Sequence, residues 1–180
     1  MREQIKSILL AVMIVLFVIS YFFDFKSSSR SNNSDKLNET NIDSELDKVY
    51  KTFSIAYDQL DADMVTNLYV ADAKYLSGDD AIKEGLENIR SGFQRYFEWA
   101  NSENASLNIS FDIQDRKYSE NLVVDVGYYL IETTFPKDSS KETKHSAGKF
   151  ITVLQPQDNE DWKFIIDGYN KAPVEAFNSE

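Results

Sequence analysis

Two apolar, alternating runs near the C-terminus constrain this chain more than anything else in it. The first is Ala147-Gly148-Lys149-Phe150-Ile151-Thr152-Val153-Leu154 and the second is Trp162-Lys163-Phe164-Ile165-Ile166-Asp167-Gly168-Tyr169-Asn170. Between them lies the polar segment Pro156-Gln157-Asp158-Asn159-Glu160-Asp161. Period-two alternation on both sides of a polar turn is the pattern of a β-hairpin. Its strands are expected from about Thr143 to Gln155 and from Trp162 to Asn170. Upstream, Leu107, Ile109, Phe111 and Ile113 alternate strictly, and the run Leu122 to Thr134 is reached through the tight turn Ser119-Glu120-Asn121. Together these segments predict a four-stranded antiparallel meander.

The preceding half of the domain has a helical period. Ile42, Leu46, Val49, Phe53, Ala56, Tyr57 and Leu60 fall at steps of three and four, which predicts an amphipathic helix. Asp61 to Tyr69 reads as a shorter helix with Met64, Val65 and Leu68 inward, and Asp72 to Leu76 as a short strand. Ile82 to Trp99 reads as a helix whose buried face carries Ile82, Leu86, Ile89, Phe93, Tyr96 and Phe97. Gly85 and Gly92 inside it each cost about 1 kcal/mol relative to alanine. That cost predicts a helix lying close against a sheet. Two helices, a strand, a helix and then a meander make an α+β domain.

The order of these pieces resembles one family. Gly148-Lys149-Phe150 to Leu154, a polar turn, then Trp162 to Asn170 resembles the closing hairpin of the NTF2-like superfamily, on its SnoaL-like and ketosteroid-isomerase-like side. Ala56 to Asp63 followed by Leu68 to Ala73 resembles that family's first two helices running into its first strand, and Ile82 to Ile89 the start of its long third helix. The resemblance spans about residues 42–171. It implies a cone of helices packed on one face of a curved antiparallel sheet, with a cavity between the layers. It does not imply a reaction, because this fold hosts many functions.

Outside that span the chain divides into an N-terminal segment 1–26, a linker 27–41 and a tail 172–180. Ser7 to Phe23 holds no charge, and Arg2 and Lys6 precede it. The run reads as one N-terminal transmembrane helix, uncleaved, with the C-terminal domain outside the cytoplasm. The alternative is a signal peptide, and secretion after its cleavage. The linker is rich in Ser and Asn with Leu37 its one apolar residue, the composition of a flexible tether. Net charge is −11, and the first 26 residues, with three basic and two acidic side chains, do not account for it. So acidic a domain repels nucleic acid. With no cysteine, disulfides, thiol catalysis and cysteine-bound zinc are excluded.

Strand parity then nominates site residues. A hairpin symmetric about Asp158 puts Phe150, Thr152, Leu154, Trp162, Phe164 and Ile166 on the core face. His145, Lys149, Ile151, Val153, Lys163, Ile165, Asp167 and Tyr169 then take the outer face. On that parity Lys149 and Asp167 form a cross-strand ion pair, and neither Asp167 nor the lone His145 is catalytic. In the neighbouring strand Val124, Val126, Tyr128, Leu130 and Glu132 are assigned to the core. Glu132 breaks that apolar series, either lining the cavity or standing wet at the rim. The candidate ligand-binding residues are Tyr57, Tyr75, Tyr128, Glu132 and Trp162, whose aromatic members equally suit an ordinary core.

The ketosteroid-isomerase comparison puts Phe53 where that branch has an oxyanion-hole tyrosine and Ser77 where it has its base. Phenylalanine has no donor, and serine is no base at neutral pH. No glycine-rich phosphate loop, nucleophile elbow or metal-ligand spacing is present, and no cofactor is called for. Three functions fit the sequence. They are a non-catalytic, membrane-tethered module binding a small apolar molecule, an assembly module of an envelope complex, and an isomerase, dehydratase or cyclase with a non-standard site. Ile151, Val153, Ile165, Tyr129 and Ile131, taken as one outer patch, predict a homodimer.

Overall fold

The computed structural model describes residues 41–78, 80–119, 121–158 and 161–177. The apolar run Ser7 to Phe23, the linker up to Thr40 and the end of the tail lie outside these residues. Among the described residues no helix is long and apolar enough to cross a membrane. The chain divides into residues 1–43 and 44–180, and the sheet with the helix faces packed on it belongs to the second unit.

Helix α1, described over residues 41–59, buries Leu46, Val49, Tyr50, Phe53, Ala56 and Tyr57. These are the i, i+3, i+4, i+7 positions of one helical stripe, with Tyr50 added to the expected set. Leu60 ends the helix at φ 53, in the left-handed region. There the Asp61 amide donates to the Ala56 carbonyl at 2.9 Å and the Leu60 amide to the Tyr57 carbonyl at 3.2 Å. That is a Schellman ending. Asp61 then turns to the next element, its carboxylate capping the Met64 amide of α2 (Ala62–Thr66) at 2.9 Å.

Strand β1 covers Tyr69–Leu76 and a two-residue β2 covers Lys83–Glu84. The third helix, α3, spans Leu86–Ser102 and buries Ile89, Phe93, Phe97 and Ala100. It begins four residues later than its apolar period suggests. Ile82 is therefore outside it and 59% exposed, while Lys83 and Glu84 pair with β1. Gly85 is not a helix-interior residue. It is the N-cap at φ 82, where a side chain would be strained. A Cβ on Gly92 would meet only the Lys83 side chain, at 3.8 Å, so this glycine marks no close approach to the sheet.

The meander follows as β3 (Ser106–Ser119), β4 (Leu122–Thr134), β5 (Lys144–Pro156) and β6 (Trp162–Ala172), then a 3₁₀ turn at Val174–Phe177. The six strands lie in the order β2-β1-β6-β5-β4-β3, antiparallel except where β1 runs parallel to β6. Tyr50 and Phe53 of α1 and Phe93 of α3 meet Phe111 and Phe164 of the sheet, or each other, with ring centroids 5.1–6.2 Å apart. The helices thus cover one face of the sheet.

Two strands carry one extra residue each. In β3, Ile113 pairs with Gly127 and Asp115 with Val126, so Gln114 is unmatched. In β6, Leu154 pairs with Phe164 and Val153 with Ile166, so Ile165 is unmatched. An unmatched residue flips the parity of everything beyond it. Arg116 is thereby turned to the core face, where it meets Asp125 of β4.

The Arg116–Asp125 pair is the polar anchor of the domain. Asp125 is 0% exposed, and the Arg116 guanidinium donates to its two oxygens at 2.7 and 2.9 Å. The Tyr50 hydroxyl of α1 donates to the same carboxylate at 2.9 Å and lies 2.8 Å from Thr152 Oγ1 on β5. A fully buried carboxylate is tolerable only with such a set of donors. Arg116→Ala leaves it without its charge partner and is expected to cost about 3–5 kcal/mol. Tyr50→Phe, which removes one donor, is expected to cost about 1–3 kcal/mol. Urea unfolding of both variants checks the ranking; equal midpoints for the two would contradict it.

Candidate functional site

Where the helices part from the sheet they leave a cavity of about 420 Å³, within the range of roughly 300–1,000 Å³ usual for small-molecule sites. Its apolar wall is supplied by Phe53 and Phe93 from the helices and by Phe111, Phe150 and Ile131 from the sheet. Its polar atoms come from Tyr57, Tyr75, Tyr96, Tyr129 and Tyr169, from the buried carboxylate Asp167, and from the charged side chains Asp80, Lys83, Arg95 and Lys171.

Tyr129 owes its pose to a glycine on the next strand. Tyr129 and Gly148 face each other across the β4–β5 ladder, and a Cβ on Gly148 would stand 2.3 Å from the tyrosine ring. The ring therefore lies flat over the Gly148 backbone and forms part of the cavity floor. Tyr169 meets it edge-on at 5.9 Å.

Asp167 is in the cavity because of the extra residue at Ile165. The register pairs Thr152 with Asp167 and Phe150 with Tyr169, so both β6 residues share the core face. This overturns the symmetric-hairpin parity, which had them outside with Ile166 in the core; Ile166 is in fact 37% exposed. Lys149 lies opposite Asn170, and the expected Lys149–Asp167 ion pair does not form. Asp167 is 8% exposed and accepts a hydrogen bond from the Tyr69 hydroxyl at 2.5 Å. Burial pushes its carboxyl up to about 6, against the opposing pull of the Tyr69 bond. Burial also raises Tyr57, Tyr69, Tyr75 and Tyr129 above the ordinary phenol range. At neutral pH these hydroxyls are neutral donors and acceptors. Asp167 titrates close to neutrality, the property required of a group that gives and takes a proton.

Of the residues nominated from sequence, Tyr57 and Tyr75 line this cavity. Tyr128 does not. The buried positions of β4 are Val123, Asp125, Gly127 and Thr133, so the core parity is the reverse of the expected one and Tyr128 faces outward with Val124, Val126, Leu130 and Glu132. Tyr129 and Ile131, assigned to an outer patch, line the cavity instead. Glu132 is exposed and bonded to His145 at 3.1 Å, at a distance in sequence and register from Asp167. Trp162 sits half-buried opposite Pro156 at the hairpin end, and is not a lining residue. Phe53 is an apolar wall residue, as the ketosteroid-isomerase comparison implied. Ser77 follows β1, its hydroxyl oxygen buried and beside the Asp80 carboxylate, which it helps to lower. Asp167 and Tyr169 were missed, and only knowledge of the bulge would have found them.

No family model matches this chain, and no curated protein matches it. Solved structures do. An NTF2-like protein with a cystatin-like fold from Novosphingobium aromaticivorans superposes with a TM-score of 0.66 at 11% identity, over 81% of this chain and 93% of that one. The fold is NTF2-like. A ketosteroid isomerase-like protein from Erwinia carotovora atroseptica gives 0.56 at 12% identity, over 71% of this chain and 94% of its own. ActVI-ORFA from Streptomyces coelicolor gives 0.64 at 10% identity, over 73% and 97%. At these identities the likeness carries the architecture of this NTF2-like domain and nothing of its chemistry.

The raised carboxyl makes a signed prediction. The folded state holds the Asp167 proton more tightly than the unfolded chain, whose value is near 3.8. The stability this gives is present in full below about pH 4 and is lost as pH rises through about 6. The full excursion is on the order of 3 kcal/mol. Asp167→Asn is therefore expected to be more stable than the parent above pH 6, the gap closing toward pH 4. Urea unfolding at pH 4.5 and 7.5 measures it, and a pH-independent difference would show that Asp167 is not protonated preferentially in the fold.

Proposed function

We propose that this domain binds a small, flat, largely apolar molecule in the cavity between helices and sheet, with Asp167 as the polar group it is built around. The observation that supports this is the combination at one place. A 420 Å³ aromatic chamber contains a carboxylate that is 8% exposed and raised to about 6. Burying a carboxylate beside phenylalanines is costly, and groups held at such a cost in a cavity cluster at functional sites. The fold likeness to NTF2-like neighbours, one described as ketosteroid isomerase-like, agrees with the proposal.

Asp167 also favours a catalytic reading of the same cavity over the purely binding one. A carboxylate near its own pKa at neutral pH can abstract a proton α to a carbonyl, and neighbouring tyrosine hydroxyls can donate to the oxygen that becomes negative. Isomerisation, dehydration and aldol-type cyclisation all share that step. β-Tetralone, a bicyclic ketone, separates the two readings. Binding is expected from calorimetry and is expected to be lost in Ile131→Trp, which fills the chamber. Deuterium incorporation at its α-carbon, followed by NMR, is expected to fall at least about 100-fold in Asp167→Asn while binding persists. Binding without any exchange leaves the non-catalytic module; no binding ends both.

The setting inferred for the domain is the outer side of a membrane, tethered through Ser7 to Phe23. Support comes from the uncharged run and from Arg2 and Lys6 ahead of it. A reporter fused after Glu180 is expected to be active only in its exported form; cytoplasmic activity would reverse the orientation.

Homodimerisation remains our proposal for the outer sheet face, with a corrected set of residues. Val126, Ile151 and Ile166 are 42, 50 and 37% exposed on three adjacent strands, with Val124 and Val153 beside them. An isologous contact through that patch buries it at once. Sedimentation at micromolar concentration is expected to give a dimer that Val126→Lys/Ile151→Lys dissociates. A monomeric parent, or a dimeric variant, would remove this interface.

A further inference from the structure

Asp167 carries a charge that no described side chain balances. Its Oδ2 accepts from the Tyr69 hydroxyl at 2.5 Å, and its Oδ1 receives no hydrogen bond from a described residue. Burial raises the carboxyl, the Tyr69 bond opposes that, and no cation of the described residues adds to the opposition. The cations on the same lining act elsewhere. Lys83 lies 2.8 Å from the Asp80 carboxylate, and its charge and that of Arg95 both lower Asp80. Arg95 and Lys171 are exposed, so water screens them, and Lys171 is itself engaged by another group.

What surrounds Asp167 is aromatic. Tyr50 and Tyr57 come from α1, Tyr69 and Tyr75 from β1 and Tyr129 from β4, and the Asp167 charge adds to the raised position of each phenol. Thr152 lies opposite it on β5, and α3 brings Tyr96 and Arg95 to the lining. At neutral pH the phenols carry no charge, and their ring faces are electron-rich. Tyr129 lies flat over Gly148, so its other face is turned into the chamber. Tyr169 meets it edge-on at 5.9 Å, and Tyr75 lies 5.6 Å from Tyr169. One ring of this wall already attracts a cation, the Lys83 ammonium 5.8 Å from the centre of Tyr75. An unbalanced carboxylate among aromatic faces is the chemistry of a site for an organic cation.

Resting on the ligand-binding reading above, we propose that the ligand is a cyclic amine bound as a monocation, its ammonium on Asp167 Oδ1 and the surrounding tyrosine rings and its apolar body against Phe53, Phe93 and Phe111. A neutral donor satisfies one lone pair of Asp167 and leaves its charge buried. An ammonium satisfies the lone pair and neutralises the charge, inside a cavity where that attraction is stronger than in water. An anion meets a carboxylate that no described cation contacts. The net charge of −11 draws cations, not anions, toward the domain. An N–H on the ligand is part of the assignment, because Oδ1 is an open acceptor.

Three probes on one skeleton test this on the full chain by calorimetry: 2-aminotetralin, 2-tetralol and tetralin-2-carboxylate. At pH 7.5 the amine is expected to bind about ten-fold tighter than the alcohol, and the carboxylate more weakly than either. The pH dependence has a definite sign. The amine requires ionised Asp167, whose carboxyl titrates at about 6, so its affinity is expected to fall about ten-fold between pH 7.5 and pH 5.0. The alcohol is expected to change little. In Asp167→Asn the amine-to-alcohol ratio is expected to approach unity at both pH values. Equal affinities at pH 7.5, a preference that ignores pH, a preference that survives Asp167→Asn, or tighter binding of the carboxylate would each overturn the assignment. Alcohol binding without a preference for the amine keeps the chamber as a ligand site and removes this inference; if no probe binds, both fall.

Discussion

Ile165 has no partner across the β5–β6 ladder, and the chemistry of the domain depends on that unmatched residue. Before it, Phe164 packs into the core against Tyr50 and Phe53. After it the strand is turned by one residue, so Ile166 faces out and Asp167 and Tyr169 face the helices. The same device at Gln114 in β3 delivers Arg116 to the core face. The two insertions together create a polar row that crosses the sheet under the helices. Arg116 pairs with Asp125, Asp125 with Thr152, Thr152 with Asp167, and Asp167 with Tyr75.

The two carboxylates of that row have opposite fates, and the difference is their donors. Asp125 has a bidentate guanidinium and a tyrosine hydroxyl, which compensate its charge, and it ties α1 to three strands. Asp167 has one tyrosine hydroxyl and, among the described residues, no cation hydrogen-bonded to it, so burial dominates and its proton is held to about pH 6. One end of the row is structural and closed. The other end is under-compensated and opens on a cavity. That asymmetry is the physical basis for reading the Asp167 end as the working part of an NTF2-like domain.

Much of the architecture was legible in the chain. The stripe from Leu46 to Tyr57 predicted α1, and strict alternation from Leu107 onward predicted the meander, with β4 at its observed bounds Leu122–Thr134. Asp61 as a helix-start residue was legible too, since a short side-chain acceptor before an apolar period has few other uses. The site was legible only in part. Tyr57 and Tyr75 follow from helix period and from the short first strand. Tyr128 and Glu132 did not belong, because an evenly alternating strand such as β4 gives no sign of which of its two faces is covered. Val124, Val126, Tyr128 and Leu130 are as apolar as Val123, Tyr129 and Ile131. The face was settled by pairing with β3 and β5, which brings Asp125 inside opposite Arg116 and Thr152.

The sequence by itself determined the element order, the α+β class and the existence of a closing hairpin, because those rest on local periodicities of 3.6 and 2 that survive in any window of the chain. The tertiary structure alone decided which side of each strand faces the helices. A period of two carries no memory across an inserted residue, so the placement of Asp167, Tyr169 and Arg116 was settled by pairing between strands: one unmatched residue reverses inside and outside for the remainder of its strand.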